Sequence, residues 1–407
     1  MGKKDLAVLE FYSGIGGMHY SLIDATKDSN FAPEVVAAFD INDKANKTYF
    51  HNFNRRPIQK LIESIPVSKY STYRADMWLA SPPCQPYTRQ GLQKGSHDER
   101  AKSFLFLLNS IPKLEKPPKY ILIENVKGFE VSDTRNMMMD ALKDMYNCQE
   151  FLLSPLQFQI PNSRIRYYCL AKLKSLTFKN DIPKDKILNY IPGNEYTKYW
   201  ENNQDSTTVG IVEDEELKHV EVKQLKDFLE ENIDENKYKL SEKSSTRYGL
   251  LYDIVKPSQR RSCCFTKGYY HFIEVIGSIL QCNEDIDTKE TLKEYKEYKE
   301  KRNEILNKEN MDDSKKEEEL KKLDNPLDKL NLRYFTPREI ARLMGFPESL
   351  NFPESSTLKQ QYKLLGNSLN CTVVSALIKY LLSEKENKEK NTEKEDLNND
   401  PKKRKLN

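Results

Sequence analysis

Cys84 stands in the run Ser81-Pro82-Pro83-Cys84-Gln85-Pro86-Tyr87, directly behind the apolar stretch Met77-Trp78-Leu79-Ala80. Prolines fix their own φ and push the residue before them toward extended geometry, so the chain leaves that strand as a stiff loop that displays the thiol. A displayed thiol suits nucleophilic catalysis. A free cysteine is more often a small buried apolar residue, so Cys84 acquires meaning only from its companions. Upstream, Phe11-Tyr12-Ser13-Gly14-Ile15-Gly16-Gly17 ends one strand-like run and opens a helix from Met18. Glycines at such a turn let the backbone and the helix N-terminal N–H groups approach a ligand. About two dozen residues on, the next strand ends in Phe39-Asp40-Ile41-Asn42, with an acidic group placed to bind ribose hydroxyls. Tyr20 occupies the place of the third glycine of the dinucleotide fingerprint, which favours a nucleoside cofactor without a pyrophosphate, such as S-adenosylmethionine, over a nicotinamide one. A further strand, Tyr120-Ile121-Leu122-Ile123, delivers Glu124-Asn125-Val126 at its carboxyl end.

Groups on four strand ends can meet only if those strands share one sheet edge. Between Leu6 and Leu173, short apolar runs such as Leu6-Ala7-Val8-Leu9 and Val35-Val36-Ala37-Ala38-Phe39 alternate with longer segments of helical period. The alternation predicts an α/β domain of parallel strands buried on both faces. Ligands of open α/β sheets gather at the carboxyl ends of the strands, where the glycine turn, Asp40, Cys84 and Glu124 would converge. One strand-end glutamate is usually a helix cap or an ion-pair partner, and one glycine turn serves strand-to-helix packing as often as it serves a ligand; the coincidence of all of them is what points to a site.

After Lys174 the composition shifts to Tyr, Asn, Lys and Glu, which predicts a second, smaller domain over residues 185–335. Within it, residues 289–322 are almost wholly charged or polar with interspersed tyrosines, and read as a solvated helix or disorder without chemistry. Phe335-Thr336-Pro337-Arg338-Glu339 places a threonine N-cap before a proline at the first helical position and predicts a helix to Met344. A last helix, from Ser368 to Leu382, would rejoin the first domain, which therefore comprises residues 1–180 and 336–384. Residues 385–407 read as a structureless tail, and its run Pro401-Lys402-Lys403-Arg404-Lys405 fits a nuclear-import signal.

With 407 residues the chain can bury a sizeable core, while a net charge of only +3 does not by itself identify a nucleic-acid binder. Its seven cysteines are odd in number and show no Cys-x-x-Cys pair, and the five histidines do not join them in a zinc-like pattern, so no metal is expected and the thiols read as reduced. No apolar run approaches a membrane span, and no signal-like region follows Met1, which argues for the nucleus and cytoplasm.

Taken together, the glycine turn at residues 11–17, Pro83-Cys84-Gln85, Glu124-Asn125-Val126, Arg164-Ile165-Arg166 and Gly366-Asn367-Ser368 resemble, in order, the motifs of the cytosine carbon-5 methyltransferases. The resemblance implies a Rossmann-like, S-adenosylmethionine-dependent methyltransferase domain with a smaller target-recognition domain. It implies that Cys84 adds to carbon 6 of cytosine, that Glu124 holds ring nitrogen 3 and the amine, and that Arg164 and Arg166 hold the flipped base and the glutamate. It further puts Phe11, Ile15, Gly16, Gly17, Asp40, Ile41, Ile62, Glu63, Ser81, Asn367 and Ser368 around the cofactor. The runs Cys264-Phe265-Thr266-Lys267-Gly268-Tyr269, Pro161-Asn162-Ser163-Arg164 and Asn125-Val126-Lys127-Gly128 are similar to the eukaryotic aspartate-tRNA cytosine-5 methyltransferases, which implies a tRNA substrate, cytosine 38 of the anticodon loop. Many DNA-modifying relatives carry glutamine where this chain has Asn162.

A splayed loop is also a cheaper target than a duplex, because a base must leave its stack to enter such a pocket. Phosphate contacts are expected from Arg89, Lys94 and Arg100 beside the nucleophile and from Arg260, Arg261 and Lys267, with Cys264, Phe265 and Thr266 also at the nucleic acid. The loop of residues 88–100 would close over the base. Two rivals share this reading's motifs: a DNA cytosine-5 methyltransferase, and a nucleic-acid-binding scaffold without activity. Oligomeric state leaves no trace in the sequence.

Overall fold

The computed structural model describes residues 2–87, 95–183, 186–202, 221–270 and 277–384. Apolar runs form β1 (Lys4–Phe11), β2 (Phe31–Phe39), β3 (Met77–Ala80) and β4 (Tyr120–Val126), interleaved with α1 (Gly17–Thr26), α2 (Asp43–Phe53), α3 (Val67–Thr72) and α4 (Lys102–Ser110). After α5 (Asp133–Leu142), strands β5 (Tyr146–Leu153), β6 (Arg166–Leu173) and β7 (Ile187–Leu188) complete a seven-stranded sheet of order β2-β1-β3-β4-β6-β5-β7. β1 to β4 are parallel, as the sequence predicts, but β6 runs antiparallel to both β4 and β5. The connection from β5 to β6 holds a short 3-10 turn and no crossover helix, so the chain can only double back. The reversal brings the first residue of β6, Arg166, opposite Val126, at the edge where β4 ends.

Alternate residues of each strand feed two cores. Leu6 and Val8 of β1, Met77 and Leu79 of β3, and Tyr168 and Leu170 of β6 join one cluster; Leu9 and Phe11, Trp78 and Ala80, and Tyr167 and Cys169 join the other. Period-two alternation with both sides apolar is what burial on both faces requires.

The middle of the chain holds α6 (Lys198–Asn202), α7 (Glu242–Tyr248), α8 (Thr288–Leu306) and α9 (Asp313–Lys321), and a three-stranded sheet of β8 (Asp253–Val255), β9 (Ser278–Gln281) and β10 (Leu332–Arg333). The charged stretch is thus helical, and its two helices differ. α8 buries Thr291, Tyr295 and Tyr298, a stripe at helical spacing, and the Tyr295 hydroxyl donates to the Ser245 carbonyl at 2.6 Å. α9 buries nothing and is solvated. The expectation of a wholly solvated or disordered segment missed the tyrosines, whose period marks a packed face. The tail from residue 385, with its basic run, lies outside the described residues.

The chain returns through α10 (Pro337–Leu343), α11 (Leu358–Gly366) and α12 (Cys371–Leu382). Thr336 caps α10 with a capping box to Glu339, as its sequence predicts. α12 starts later than expected because Asn370, not Ser368, is its cap. It packs on α1, where the Cys371 thiol donates to the Gly17 carbonyl at 3.5 Å. No helix among the described residues is long and apolar enough to cross a membrane.

Glu10 is fully buried on β1, one turn before the glycines. The Tyr49 hydroxyl lies 2.8 Å from its Oε2 and 2.8 Å from His19 Nδ1. Burial pushes the Glu10 carboxyl up to about 8, and burial pushes His19 down to about 4. A raised acid stabilises the fold below its unfolded pKa and loses that contribution as pH rises through its folded one; the lowered histidine acts in the opposite sense, between about pH 4 and 6.5. Of the two, only the Glu10 effect remains above pH 6.5. Glu10 should therefore contribute a loss of stability of up to about 1.4 kcal/mol per pH unit between pH 6.5 and 8, and Glu10→Gln should flatten the pH dependence by that amount in urea titrations at successive pH values.

Candidate active site

The carboxyl edge of the large sheet opens into a cavity of about 720 Å³. Its walls come from five strand ends and the C-terminal return. The β1 turn supplies Tyr12, Gly14 and Ile15; the β2 end supplies Asp40, Ile41 and Asn42; the β3 end supplies Ser81, Pro82, Pro83, Cys84 and Gln85. Glu124 and Val126 line it from β4, Arg164 and Arg166 from the entrance to β6, and Gly366, Asn367 and Ser368 from the end of α11. Lys267 reaches it from the segment before β9.

At its reacting end, Glu124 is buried and held by two partners. Ser81 Oγ donates to Glu124 Oε2 at 2.6 Å, and Arg166 Nε lies 3.6 Å from Oε1. The neighbouring Asn125 braces the proline loop, its amide donating to the Pro82 carbonyl at 3.5 Å. Cys84 is half-buried beside this pair. Burial and the Glu124 charge push its thiol up, while Arg166, Arg164 and Lys267 pull it down without fully offsetting them. Cys84 therefore rests as a thiol, with three cations nearby that pull toward the thiolate.

Arg164 and Arg166 meet on Cys264. Arg164 Nη1 donates to Cys264 Sγ at 3.1 Å and to the Phe265 carbonyl at 3.0 Å, and Arg166 Nη2 lies 3.8 Å from the same sulfur. Arg164 Nη2 also donates to the Ser368 carbonyl. Burial raises the Cys264 thiol, but the two arginines outweigh it and lower it overall. Cys264 is thus a partner of both arginines. The expectation for Phe265 is corrected: it is 2% exposed, packed edge-on against Tyr269 and Phe335, and offers no surface to RNA. Thr266 lies with its backbone against Gly366, where an added methyl would come within 2.2 Å of the Thr266 carbonyl carbon. Gly366 is therefore the point where the two sheets' segments close on each other.

Among the other expected contacts, Arg100 lines the cavity but spends its guanidinium on Asp98, at 2.8 and 2.6 Å. Arg261 pairs with Asp253 at 2.7 Å and Arg260 donates to the Val222 carbonyl. Arg89, Lys94 and the residues 88–94 of the loop lie outside the described residues.

At the opposite end of the cavity, Asp40 accepts from the Gly14 and Asn42 amides, both at 2.8 Å, and so shapes the glycine turn as well as lining it. Ile41 and Leu61 are 63% and 55% exposed and face the same cavity, next to Ile62 and Glu63. This end of the cavity thus pairs exposed aliphatic side chains with two carboxylates, the mixed lining that suits a ligand with an apolar ring and hydroxyls or amines. Three residues expected around a cofactor do not line this cavity. Phe11 is fully buried and stacks on Phe39; Gly16 has φ 89° and leaves room for Phe53; Gly17 leaves room for Ser368 and Leu369. All three make close packing contacts, which the glycine pattern by itself does not distinguish from ligand approach. Sequence reasoning missed Tyr12, Leu61, Glu99 and Ser103 on the cavity wall. Leu61 carries a signal in its adjacency to Ile62; Ser103 carries none.

The sequence profile described as "C-5 cytosine-specific DNA methylase" matches residues 6–383. The chain is 41% identical to the human protein named "tRNA (cytosine(38)-C(5))-methyltransferase", covering 92% of this chain and 99% of that one. It is 38% identical to a Dictyostelium discoideum protein named "DNA (cytosine-5)-methyltransferase", covering 94% and 96%. Its fold matches the crystal structure titled "S. pombe Dnmt2 methyltransferase" with a TM-score of 0.70 at 36% identity, over 93% of this chain and 98% of that one.

Two outcomes follow from this geometry. Alkylation of Cys84 by iodoacetamide, followed by mass spectrometry, should still be accelerating above pH 9, and Arg166→Ala should slow it at any fixed pH below that. Gly366→Ala should lower the unfolding free energy by about 1–3 kcal/mol, because the added methyl meets backbone that cannot rotate away.

Proposed function

This chain belongs to the C-5 cytosine-specific methylase family, and from that premise we propose that it methylates a tRNA cytosine, position 38 of the aspartate tRNA anticodon loop, with S-adenosylmethionine as donor and Cys84 as covalent nucleophile. Activity as a cytosine carbon-5 methyltransferase follows from the family itself. The observation that carries the tRNA reading is the match, over 99% of the relative's length, to a protein named for that reaction.

The reaction must overcome the lack of nucleophilicity at carbon 5 of cytosine. Addition of the Cys84 sulfur to carbon 6 forms a C–S bond and drives the ring electrons toward carbon 5 and nitrogen 3. Glu124 lies beside Cys84 and is fixed by Ser81 and Arg166, so its carboxylate can take up the proton released as the Cys84 thiol ionises, hydrogen-bond nitrogen 3 and pass that proton to it as charge builds there. Arg166 stabilises the carboxylate that this leaves behind, and Lys267, Arg164 and Arg166 all favour the thiolate before attack. S-adenosylmethionine, when bound, supplies the electrophilic methyl group. Asp40 and Glu63 would hold its polar groups, Ile41, Leu61 and Ile62 its base, and Ser81, Asn367 and Ser368 line the passage toward Cys84. After transfer, the carbon 5 proton leaves to water, the ring double bond re-forms as the Cys84 sulfur departs with its bonding electrons, and nitrogen 3 returns its proton to Glu124, so thiolate and acid are both restored for the next cycle.

The Dictyostelium relative supports a second reading, in which duplex DNA is the substrate. The loop target is favoured energetically, because extrusion from a duplex costs a few kcal/mol that a splayed loop base does not. Labelled methyl transfer to total tRNA and to duplex DNA, by wild type and Cys84→Ala, separates them. Strong transfer to tRNA, abolished in Cys84→Ala, is expected; transfer to DNA alone would establish the second reading, and full activity of Cys84→Ala would remove the covalent mechanism.

A further inference from the structure

The glycine turn contains a residue that its own conformation disfavours. Tyr12 adopts φ 58°, in the same left-handed region as Gly14 at 53° and Gly16 at 89°. A bulky side chain is strained there, and such strain persists where the side chain is held by something else. Here the holder is another element on the cavity wall: the Tyr12 hydroxyl donates to Ser103 Oγ at 2.9 Å. Ser103 is the second residue of α4 (Lys102–Ser110), and both partners line the cavity.

The far side of that hydrogen bond leads to the nucleophile. The 3-10 turn Glu99–Ala101, capped by Asp98, runs straight into α4. Against it and against Gly95–His97 packs the turn Gln85–Tyr87, which begins at Cys84 and is closed by the Tyr87 amide donating to the Cys84 carbonyl at 2.9 Å. Gly95–His97 is in turn anchored through Ser96, whose amide donates to Asp133 at 3.1 Å. The glycine turn and the support of Cys84 are thus joined by one side-chain hydrogen bond on the cavity wall.

We propose that Tyr12 is a positioning residue that couples occupancy of the cofactor cavity to the placement of Cys84, acting through Ser103 and the start of α4. The proposal rests on the reading of the cavity as an S-adenosylmethionine site and adds to it a route by which a filled cavity is registered at the nucleophile. A ligand that presses on the glycine turn moves or fixes Tyr12; Tyr12 fixes Ser103; and the turn at residues 99–101 then fixes the turn that carries Cys84. Phenylalanine at this position keeps the ring and its packing and removes only the bond.

The test is amide hydrogen exchange over residues 95–106, with and without saturating S-adenosylhomocysteine, in wild type, Tyr12→Phe, Ser103→Ala and the double variant, alongside calorimetric binding of the same ligand. In wild type the ligand should slow exchange in this segment by about fivefold, the scale of one hydrogen bond. In each single variant the slowing should fall to within about twofold, and the double variant should lose no more than either single one, as partners in one bond require. The kcat for tRNA methylation should fall by about fivefold while the KM for S-adenosylmethionine stays within about twofold. Ligand-dependent protection undiminished in Tyr12→Phe, or additive losses in the double variant, would overturn the coupling role and leave the cofactor reading intact. Failure of wild type to bind S-adenosylhomocysteine would overturn the cofactor reading, and the coupling with it.

Discussion

The Arg164 guanidinium is the junction on which the site depends. One nitrogen donates to Cys264 Sγ and the Phe265 carbonyl, and the other to the Ser368 carbonyl. Three segments separated by about a hundred residues each are thereby held at a single buried group. Around it, Asn162 donates to Ser262 Oγ at 3.1 Å and to the Cys263 carbonyl at 3.0 Å, and the Ser163 amide donates to the Ser262 carbonyl at 2.9 Å. Buried acceptors that lose such a donor are costly, because no water replaces it. The cavity therefore exists only when the large sheet, the segment before β9 and the return after α11 are assembled together.

Charge is distributed unevenly over the two thiols of this region. The arginines bring Cys264 down, whereas at Cys84 they are outweighed by burial and by Glu124. The difference is one of contact: Cys264 accepts directly from a guanidinium, and Cys84 feels the same cations among competing influences. Arg166 stands between them, shared by Glu124 and Cys264. Because the Glu124 charge is one of the influences that raise the Cys84 thiol, a group bound to Glu124 would shift the balance at Cys84.

Close approach is the second constraint. Gly366 admits the backbone of Thr266 and Lys267, Gly16 admits Phe53, and Gly17 admits Ser368 and Leu369. These glycines serve the joining of elements more than contact with a ligand, while Tyr12 accepts strain in the same turn to reach Ser103. A buried bidentate pair, Arg333 with Glu339 at 2.8 Å, does similar work where β10 meets α10.

The sequence by itself determined the α/β class, the strands that end at residues 39 and 80, the start of the strand at Tyr120 and the capped helix at Thr336, and it marked Cys84, Glu124, Arg164 and Arg166, which the fold brings to one cavity, because each is written in local terms: apolar alternation, proline stiffness, capping chemistry and motif order. It also marked Asp40, Ile41, Ile62, Glu63, Ser81, Asn367 and Ser368, all of which line the cavity. Only the tertiary structure decided that β6 runs antiparallel and so delivers Arg166 to Glu124, that Cys264 faces two arginines and Phe265 a core of aromatic rings, that Gly16 and Gly17 are packing positions, and that Tyr12 reaches Ser103. Each of these depends on which distant residue arrives opposite, and strand direction, close approach and the partner of a buried polar group are properties of pairs far apart in the chain, which no local pattern encodes.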